Sequence, residues 1–580
     1  MSSLTALLPD GVTLALPVSP TMVAVSPDGR YIATTGASTP TIGGDRAGKY
    51  GVYLRAIDQN EFKPLAGAEF GYSPFFSDDG ETLGCSVDIN LWKVPVHGGQ
   101  PTLITRSDWT HGASWRGNEV IFNLAPARDE GLRRIKADGS ALGVVTKPDS
   151  SRGELNYFWP QILPGGNAVL FTVKVSGDHQ KSRIVVESMK EKGRRVEIGE
   201  GAIGRYASTG HILYSQGGSL WAVPFDVTRL RVQGSARRVR EGLMINPYFG
   251  AEMFDVSESD SGTLVYVPAS AGAVGRQLVW MDRSNSNRPV NVPFPRGAIA
   301  NVSLSPDGTR AAIAVGGTGA DIWIYDLASE QRFKLIDDPR DDFVPKWSAD
   351  AKWIYFCSDR LGIPDIFRQR ADDRNSKTET VLVREGSQYC APALHPNGKV
   401  TAFVDGNPSV TSDIMLLTLD PPSSEPEPFL SSSASEAGPV FSPDGKWLAY
   451  ISDRNERGKF DVYVTSFPNK GPEIPVSAGE GVEPLWSPAG KELFYLSRDA
   501  LMLVEVETTP TFRVVSRPRP LLIVPNVLRQ VSGGSYDISP DGKRFLMIQE
   551  EPDQPALKRI TVVQNWFVEL KRLAPVEGKK

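Results

Sequence analysis

Histidine and cysteine are scarce in this chain, and long apolar runs are missing. Five histidines, His97, His111, His179, His211 and His395, stand among 580 residues. No two have the spacing of metal ligands. Three cysteines, Cys85, Cys357 and Cys390, are too few and odd in number for a disulfide framework. Cys85 and Cys357 fall in expected strands, where a buried thiol is the default. No stretch reaches the ~18 apolar residues of a membrane span. The net charge of −5 is spread without long runs of one sign. That excludes the basic face of a nucleic-acid binder and a polybasic membrane patch. The short cluster Lys190 to Arg195 reads as a solvated loop. Met1 to Asp10 has neither the basic region nor the apolar core of a secretory leader, so the chain as written is expected in the cytoplasm.

Compact catalytic signatures are also missing. There is no Gly-x-Ser-x-Gly elbow, no kinase catalytic loop and no Asp-Phe-Gly. Gly43 to Lys49 approximates a phosphate loop, but Tyr50 replaces the Ser or Thr that would hold magnesium, and no helix is expected to follow. Asp453-Arg454-Asn455-Glu456-Arg457-Gly458 begins like a calcium loop. Arg457 stands where an oxygen ligand is needed, and the twelfth-position Glu is missing. A related copy, Ser358-Asp359-Arg360-Leu361-Gly362, shows that repetition accounts for both. No cofactor and no metal are expected.

What the chain does have is a phrase that recurs twelve times. Its clearest copies are Ser26-Pro27-Asp28-Gly29, Ser305-Pro306-Asp307-Gly308, Ser442-Pro443-Asp444-Gly445 and Ser539-Pro540-Asp541-Gly542. Pro presets φ, Asp bonds its own backbone and Gly accepts positive φ, so each copy is a turn. The turn glycines or their replacements fall at 29, 80, 117, 166, 210, 262, 308, 351, 398, 445, 490 and 542, at intervals of 37 to 52 residues. Such a period marks a propeller, solenoid or array.

One unit shows the strands. Gly438 to Ser442 runs into the turn, and Trp447-Leu448-Ala449-Tyr450-Ile451 is an apolar run suited to a strand buried on both faces. Asp461-Val462-Tyr463-Val464-Thr465 is a third strand, and Ile474-Pro475-Val476-Ser477 a fourth, where its Pro suits an edge. Asp321-Ile322-Trp323, Asp365-Ile366-Phe367 and Asp413-Ile414-Met415 repeat the third-strand signature, and their large side chains read as packing between units. Four strands per unit describe a propeller blade.

Twelve units exceed the usual four to eight of one ring, and the chain is too long for one core. The expected fold is therefore all-β: two tandem six-bladed propellers of four-stranded antiparallel blades, residues 1–275 and 276–580. The seam is placed near Ser270 to Gly275, or nearer Pro295-Arg296-Gly297 if Gln277 to Asp282 is a third strand of the sixth unit. Ile560 to Phe567 is expected to complete the twelfth unit, Val12 to Leu16 to close a ring, and Val568 to Lys580 to form a short helix.

The Ser-Pro-Asp-Gly-Lys turns, Ser-Asp-Arg loops and Asp-Ile-Trp strands resemble TolB-like (PD40) propeller repeats rather than true WD40 repeats, since no Trp-Asp dipeptide occurs. Trp159 to Gly166, Gln277 to Arg283 and Ile560 to Phe567 further resemble the C-terminal sensor region of bacterial transmembrane serine/threonine kinases. That resemblance implies a sensor placed outside the membrane. The front of this chain lacks the kinase and the membrane helix of that pattern, so it implies no kinase activity.

The expected function is a non-catalytic module that recognises a protein, peptide or small ligand at a propeller mouth. The residues just before each first strand are expected to ring that mouth: Tyr72, Trp109, His111, Trp159, Tyr206 and Glu252 in the first ring, and Asn301, Phe343, Tyr389, Glu436, Glu483 and Tyr536 in the second. Their aromatic, mildly acidic character suits a peptide or glycan. Two alternatives stand beside it. A lyase or hydrolase would need clustered titratable groups, with His111 and Glu252 the pair to test. A scaffold would need a large exposed apolar patch.

Overall fold

A computed structural model of the chain describes residues 2–15, 19, 21, 23–37, 50–87, 90–106, 110–123, 131–175, 181–246, 250–269, 275–284, 288–316, 320–338, 340–361, 364–383, 388–406, 411–423, 425–456, 459–477, 479–531, 533–550 and 558–576. The phosphate-loop look-alike at 43–49, His179 and most of the seam at 270–275 lie outside them.

The turns form as their chemistry dictates. In Ser442-Pro443-Asp444-Gly445, Ser442 Oγ donates to Asp444 Oδ1 at 2.6 Å, and Asp444 in turn accepts the N–H of Lys446 at 3.1 Å. Trp447 N–H donates to Ser442 Oγ at 3.0 Å, which starts the next strand. All twelve turn positions are left-handed, with φ from 56° to 83°. Eleven are glycine; the exception is Ala351 at φ 56°. The hydrogen bond from Ser305 is the largest of the effects that carry the Asp307 carboxyl down to about 2.

Between turns the chain is nearly all strand. Among the described residues there are twelve antiparallel sheets, most of four strands. The second strands are their apolar centres: Leu448, Ala449, Tyr450 and Ile451 are all fully buried. The third strands follow at Asp321–Asp326, Asp365–Arg370, Ser412–Thr418 and Lys459–Ser466, and the fourth in that series is the short edge Ile474–Pro475.

The chain divides into two compact units. The first contains the described residues up to 269 together with 558–576; the second contains 275–550. Six sheets fall in each. In the first unit the leading strands Val23–Val25, Tyr72–Phe76, Ala113–Arg116, Asn156–Ile162, Gly204–Ala207 and Phe254–Val256 touch one another in sequence, and the last touches the first. In the second unit Ile299–Leu304, Asp342–Trp347, Gln388–Leu394, Glu436–Phe441 and Val482–Trp486 follow one another in the same way, and Tyr536–Ile538 touches Ile299–Leu304. The hydroxyl of Tyr536 donates to the Glu483 carbonyl at 2.7 Å and completes that cycle.

The closing sheets differ from the order expected of the sequence. Arg559–Gln564 does not complete the last sheet of the second unit. It lies between Thr263–Tyr266 and Ser2–Leu7 in the first, with Val562 paired to Val265 on one side and Leu4 on the other. The expected second domain, 276–580, is therefore corrected at its C-terminal end: residues 558–576 belong with the first unit. Arg276–Asp282 is a third strand, but of the second unit, paired to Arg544–Glu550. The strand that closes the first unit at the N-terminus is Ser2–Leu7. Thr13–Leu14, expected to close a ring, instead pairs locally with Gly36 and Ala37.

The helix after the last strand is Trp566–Leu573, and it buries Trp566, Phe567 and Leu570. A Cβ on Gly262 would meet the Phe567 ring at 2.4 Å, so glycine is required there twice, for contact and for its φ of 68°. His211 Nε2–H donates to the Ala574 carbonyl at 2.6 Å and fixes the helix end. No helix among the described residues is long and apolar enough to cross a membrane.

Candidate ligand-binding site

The leading strands carry a device that the sequence shows only in hindsight. In six of them the register slips by one residue at an X-Pro step: Ser73-Pro74, Trp159-Pro160, Val344-Pro345, Ala391-Pro392, Gly438-Pro439 and Glu483-Pro484. The residue before Pro is left-handed each time, with φ between 48° and 57°. Such a bulge turns the strand and re-aims its N–H. Ser73 N–H then reaches Ser19 Oγ at 2.9 Å, Trp159 N–H the His111 carbonyl at 3.0 Å, and Val344 N–H Asn301 Oδ1 at 3.0 Å. Each acceptor belongs to the preceding repeat, so the bulges latch neighbouring sheets. Each Pro stands six residues before its turn position (74 and 80, 160 and 166, 345 and 351, 392 and 398, 439 and 445, 484 and 490), a spacing that was there to be read.

Most residues expected at the mouths turn inward. Tyr72, Trp159, Tyr206, Glu252, Asn301, Glu436, Glu483 and Tyr536 are buried. Tyr72 packs with Ala15, Ala37 and Tyr50, and Tyr206 packs among Leu170, Ile212 and Phe225. Glu252 Oε1 accepts Gly218 N–H at 2.8 Å. Glu483 accepts the N–H groups of Gln530 and Ser535 at 2.7 and 2.8 Å and the Ser535 hydroxyl at 2.6 Å. His111 and Phe343 are partly exposed. The His111 ring lies 4.7 Å from that of Phe158, and burial with nearby Lys174 carries its pKa down to about 3, so it is neutral at ordinary pH. Trp109 lies outside the described residues, as does the side chain of Tyr389.

Glu436 leads to a cavity. Its Oε1 accepts Ser432 Oγ at 2.7 Å, and Ser432 belongs to the wall of a cavity of about 510 Å³. The walls are Ser432, Ser433, Ala434 and Ser435 before the leading strand, Asp453 to Glu456 after the second strand, and Thr411 and Glu473. Thr411, the serines and Asp453 to Glu456 lie at the end of the sheets where leading strands begin.

The Ser-Asp-Arg loop shapes that cavity. Asp453 Oδ1 accepts Ser435 N–H at 2.8 Å, and Ser452 Oγ accepts from Arg454 Nε at 3.2 Å. The Arg454 guanidinium covers the Tyr463 ring at 4.3 Å, lies 3.7 Å from Glu436 and pairs with Glu473. The earlier copy repeats this: Asp359 Oδ1 accepts Asp341 N–H at 2.8 Å, Arg360 covers Phe367 at 4.8 Å and bonds Asp342 at 2.7 Å. The oxygens that made the loop resemble a calcium site thus serve the backbone. Among the described residues no group of three His, Cys, Asp or Glu side chains is placed to hold a metal. Burial works upward on the Glu473 carboxyl, yet hydrogen bonds from Lys470 and Arg454 carry it below its ordinary value. The cavity therefore presents serine hydroxyls and charges that already have partners.

Residues 259–490 match the family model described as the TolB beta propeller domain. That segment of the chain is TolB-like in sequence. The chain is 24% identical over 185 residues to the Tol-Pal system protein TolB of Wolinella succinogenes, covering 32% of this chain and 43% of the relative. It is 27% identical over 237 residues to that of Francisella tularensis subsp. holarctica, covering 40% and 53%. This TolB-like chain thus spans about half the length of the relatives it matches. The crystal structure of TolB from Acinetobacter baumannii matches at 15% identity, 60% of this chain, 79% of that one and a TM-score of 0.33.

Proposed function

We propose that this TolB-like chain is a non-catalytic recognition module of two six-bladed propellers, and that it binds a peptide segment of a partner protein in the cavity between Ser432–Ser435 and Asp453–Glu456. The first propeller is formed by residues up to 269 with 558–576, the second by 275–550. The observation that carries the reading is the chemistry of the cavity wall. Serine hydroxyls and paired charges bind polar backbone without transferring protons, and about 510 Å³ suits a short ligand segment. The groups first considered for catalysis do other work: burial holds His111 neutral, and Glu252 accepts a backbone N–H. The matched relatives are named as proteins of the Tol-Pal system, which supports a protein partner.

Resemblance to kinase sensor regions gives the module a sensory role within this reading. The three segments that carry that resemblance include the Trp159-Pro160 bulge and the two closing strands, so they speak for architecture. Ligand choice is left to the cavity.

The test is a selection of random displayed peptides on the intact protein, followed by binding to Ser433→Trp and Arg454→Ala variants. Enriched peptides should lose at least about tenfold in affinity on Ser433→Trp, which fills the cavity. Peptides that bind both variants as well as the parent would refute the site.

A further inference from the structure

We propose that Cys357 and Cys390 are a reactive dithiol that closes to a disulfide between the second and third sheets of the second unit. The two sulfurs lie 2.7 Å apart although 33 residues separate them. Cys357 lies in the second strand of one sheet, Trp353–Ser358, and Cys390 in the leading strand of the next, Gln388–Leu394. A disulfide requires that two Cβ atoms approach without backbone movement, and this packing already brings the sulfurs together. The Ala391 N–H donates to Cys357 Sγ at 3.2 Å, so the backbone beside Cys390 is docked on its partner. Val344, Ala391, Phe343 and Val404 pack around the pair.

The two thiols differ in access, and that sets the order of events. Cys357 is fully buried, whereas Cys390 is partly exposed. Burial also pushes the Cys357 thiol well above its ordinary value. Cys390 as thiolate therefore attacks a small-molecule disulfide first, forming a mixed disulfide and releasing one external thiol. Cys357 then gives up its proton and attacks the Cys390 sulfur. The external half leaves as a second thiol. Two protein thiols are oxidised, one external disulfide is reduced to two thiols, and both protons end on those thiols. Cys85, buried in the first unit, takes no part. In an oxidising compartment the bond persists; in a reducing one it opens.

The test equilibrates the whole chain in glutathione buffers of graded oxidation, alkylates remaining thiols and maps peptides by mass. The expected result is one linked peptide pair containing Cys357 and Cys390, alkylated Cys85, and a whole protein about 2 Da lighter for the two lost hydrogens. The oxidised protein should melt about 5 °C higher than the reduced one, since the bond closes a loop of the unfolded chain. Cys390→Ser should abolish both the link and the dependence of melting on the buffer. Three alkylated cysteines at every ratio, or Cys390 held only as a mixed disulfide with glutathione, would overturn the proposal. The peptide map of the unsubstituted protein decides this whether or not the variant folds.

Discussion

The carboxylate of Asp537 accepts the backbone N–H of Leu304 at 2.7 Å, across 233 residues of chain. Asp537 stands on the last leading strand of the second unit and Leu304 on the first. The first unit repeats the relationship: Asp255 accepts the N–H of Val25 at 3.0 Å, across 230 residues. In each unit one partly buried acid thus joins the end of the cycle to its beginning. Burial pushes both carboxyls above their ordinary value, with Arg205 opposing this at Asp255 and Lys346 at Asp537. Asp255 also bonds Arg205 at 2.9 Å.

Asp537→Ala should destabilise the second unit by about 1–3 kcal/mol, because it leaves the Leu304 N–H without its acceptor. Asp537→Asn keeps an acceptor and should recover most of that loss. Urea denaturation followed by a probe in the second unit measures both. Equal losses for the two variants would mean that the hydrogen bond is not what holds the strands.

Stability of the second unit should fall as pH rises from 4.5 to 7. Burial carries Glu483 from its usual value near 4.5 up to about 7, with the Ser535 and Gln530 donors opposing. A carboxyl raised in the folded state favours the protonated form. Its stabilising contribution is complete below the unfolded value and drains away as pH rises through the folded one. The difference for this group is on the order of 3 kcal/mol. Burial carries Asp342 to about 7 as well and raises Asp537, so Glu483→Gln should flatten part of the slope. His111 in the first unit has the opposite sign: its pKa is lowered, so its contribution is present above 6.5 and lost on acidification towards 3. Thermal melts across pH 4 to 8 would separate the two trends, and a second unit indifferent to pH in this range would contradict the assignment.

Ala351→Gly should stabilise the protein by about 1 kcal/mol. Ala351 is the only one of the twelve turn positions without glycine, and it holds φ 56°. Alanine there carries the steric penalty of the left-handed region, which glycine lacks. A lower melting temperature for the variant would show that the flexibility gained by the unfolded chain outweighs the relieved strain.

Much of the fold was legible because its signals are local. A turn is specified by four residues, and a second strand by its apolar run, so the twelve turns and the third strands fall where pattern places them. What pattern could not say is which unit a strand joins. Gln277 to Asp282 reads as a third strand of the sixth unit and Ile560 to Phe567 as a strand completing the twelfth; Arg276–Asp282 and Arg559–Gln564 instead each fill the third-strand slot of the other unit's closing sheet. The candidate site was less legible. Glu436 was named, and it borders the cavity through Ser432. The other named positions whose side chains are described mostly turn inward, where they pack against or bond their neighbours. The cavity walls come from loops such as Ser432 to Ser435, which have no period to betray them.

Removal of residues 558–580 should unfold the first unit and spare the second. Arg559–Gln564 is an inner strand of the first unit's closing sheet, not an edge. Ile560, Val562, Val563, Trp566, Phe567 and Leu570 are all essentially fully buried. Burying each is worth about 1.5–3 kcal/mol, so their sum of about 9–18 kcal/mol is as large as the roughly 5–15 kcal/mol by which a domain is stable. The second unit loses nothing of its own, because its closing pair is Arg276–Asp282 with Arg544–Glu550. Limited proteolysis of the truncated chain, read by mass, should therefore yield a resistant fragment that begins near residue 275 and ends near 550. A truncated protein in which residues up to 269 stay resistant would show that the first unit closes without its C-terminal strand, and the last sheet would then need only Ser2–Leu7 to complete it.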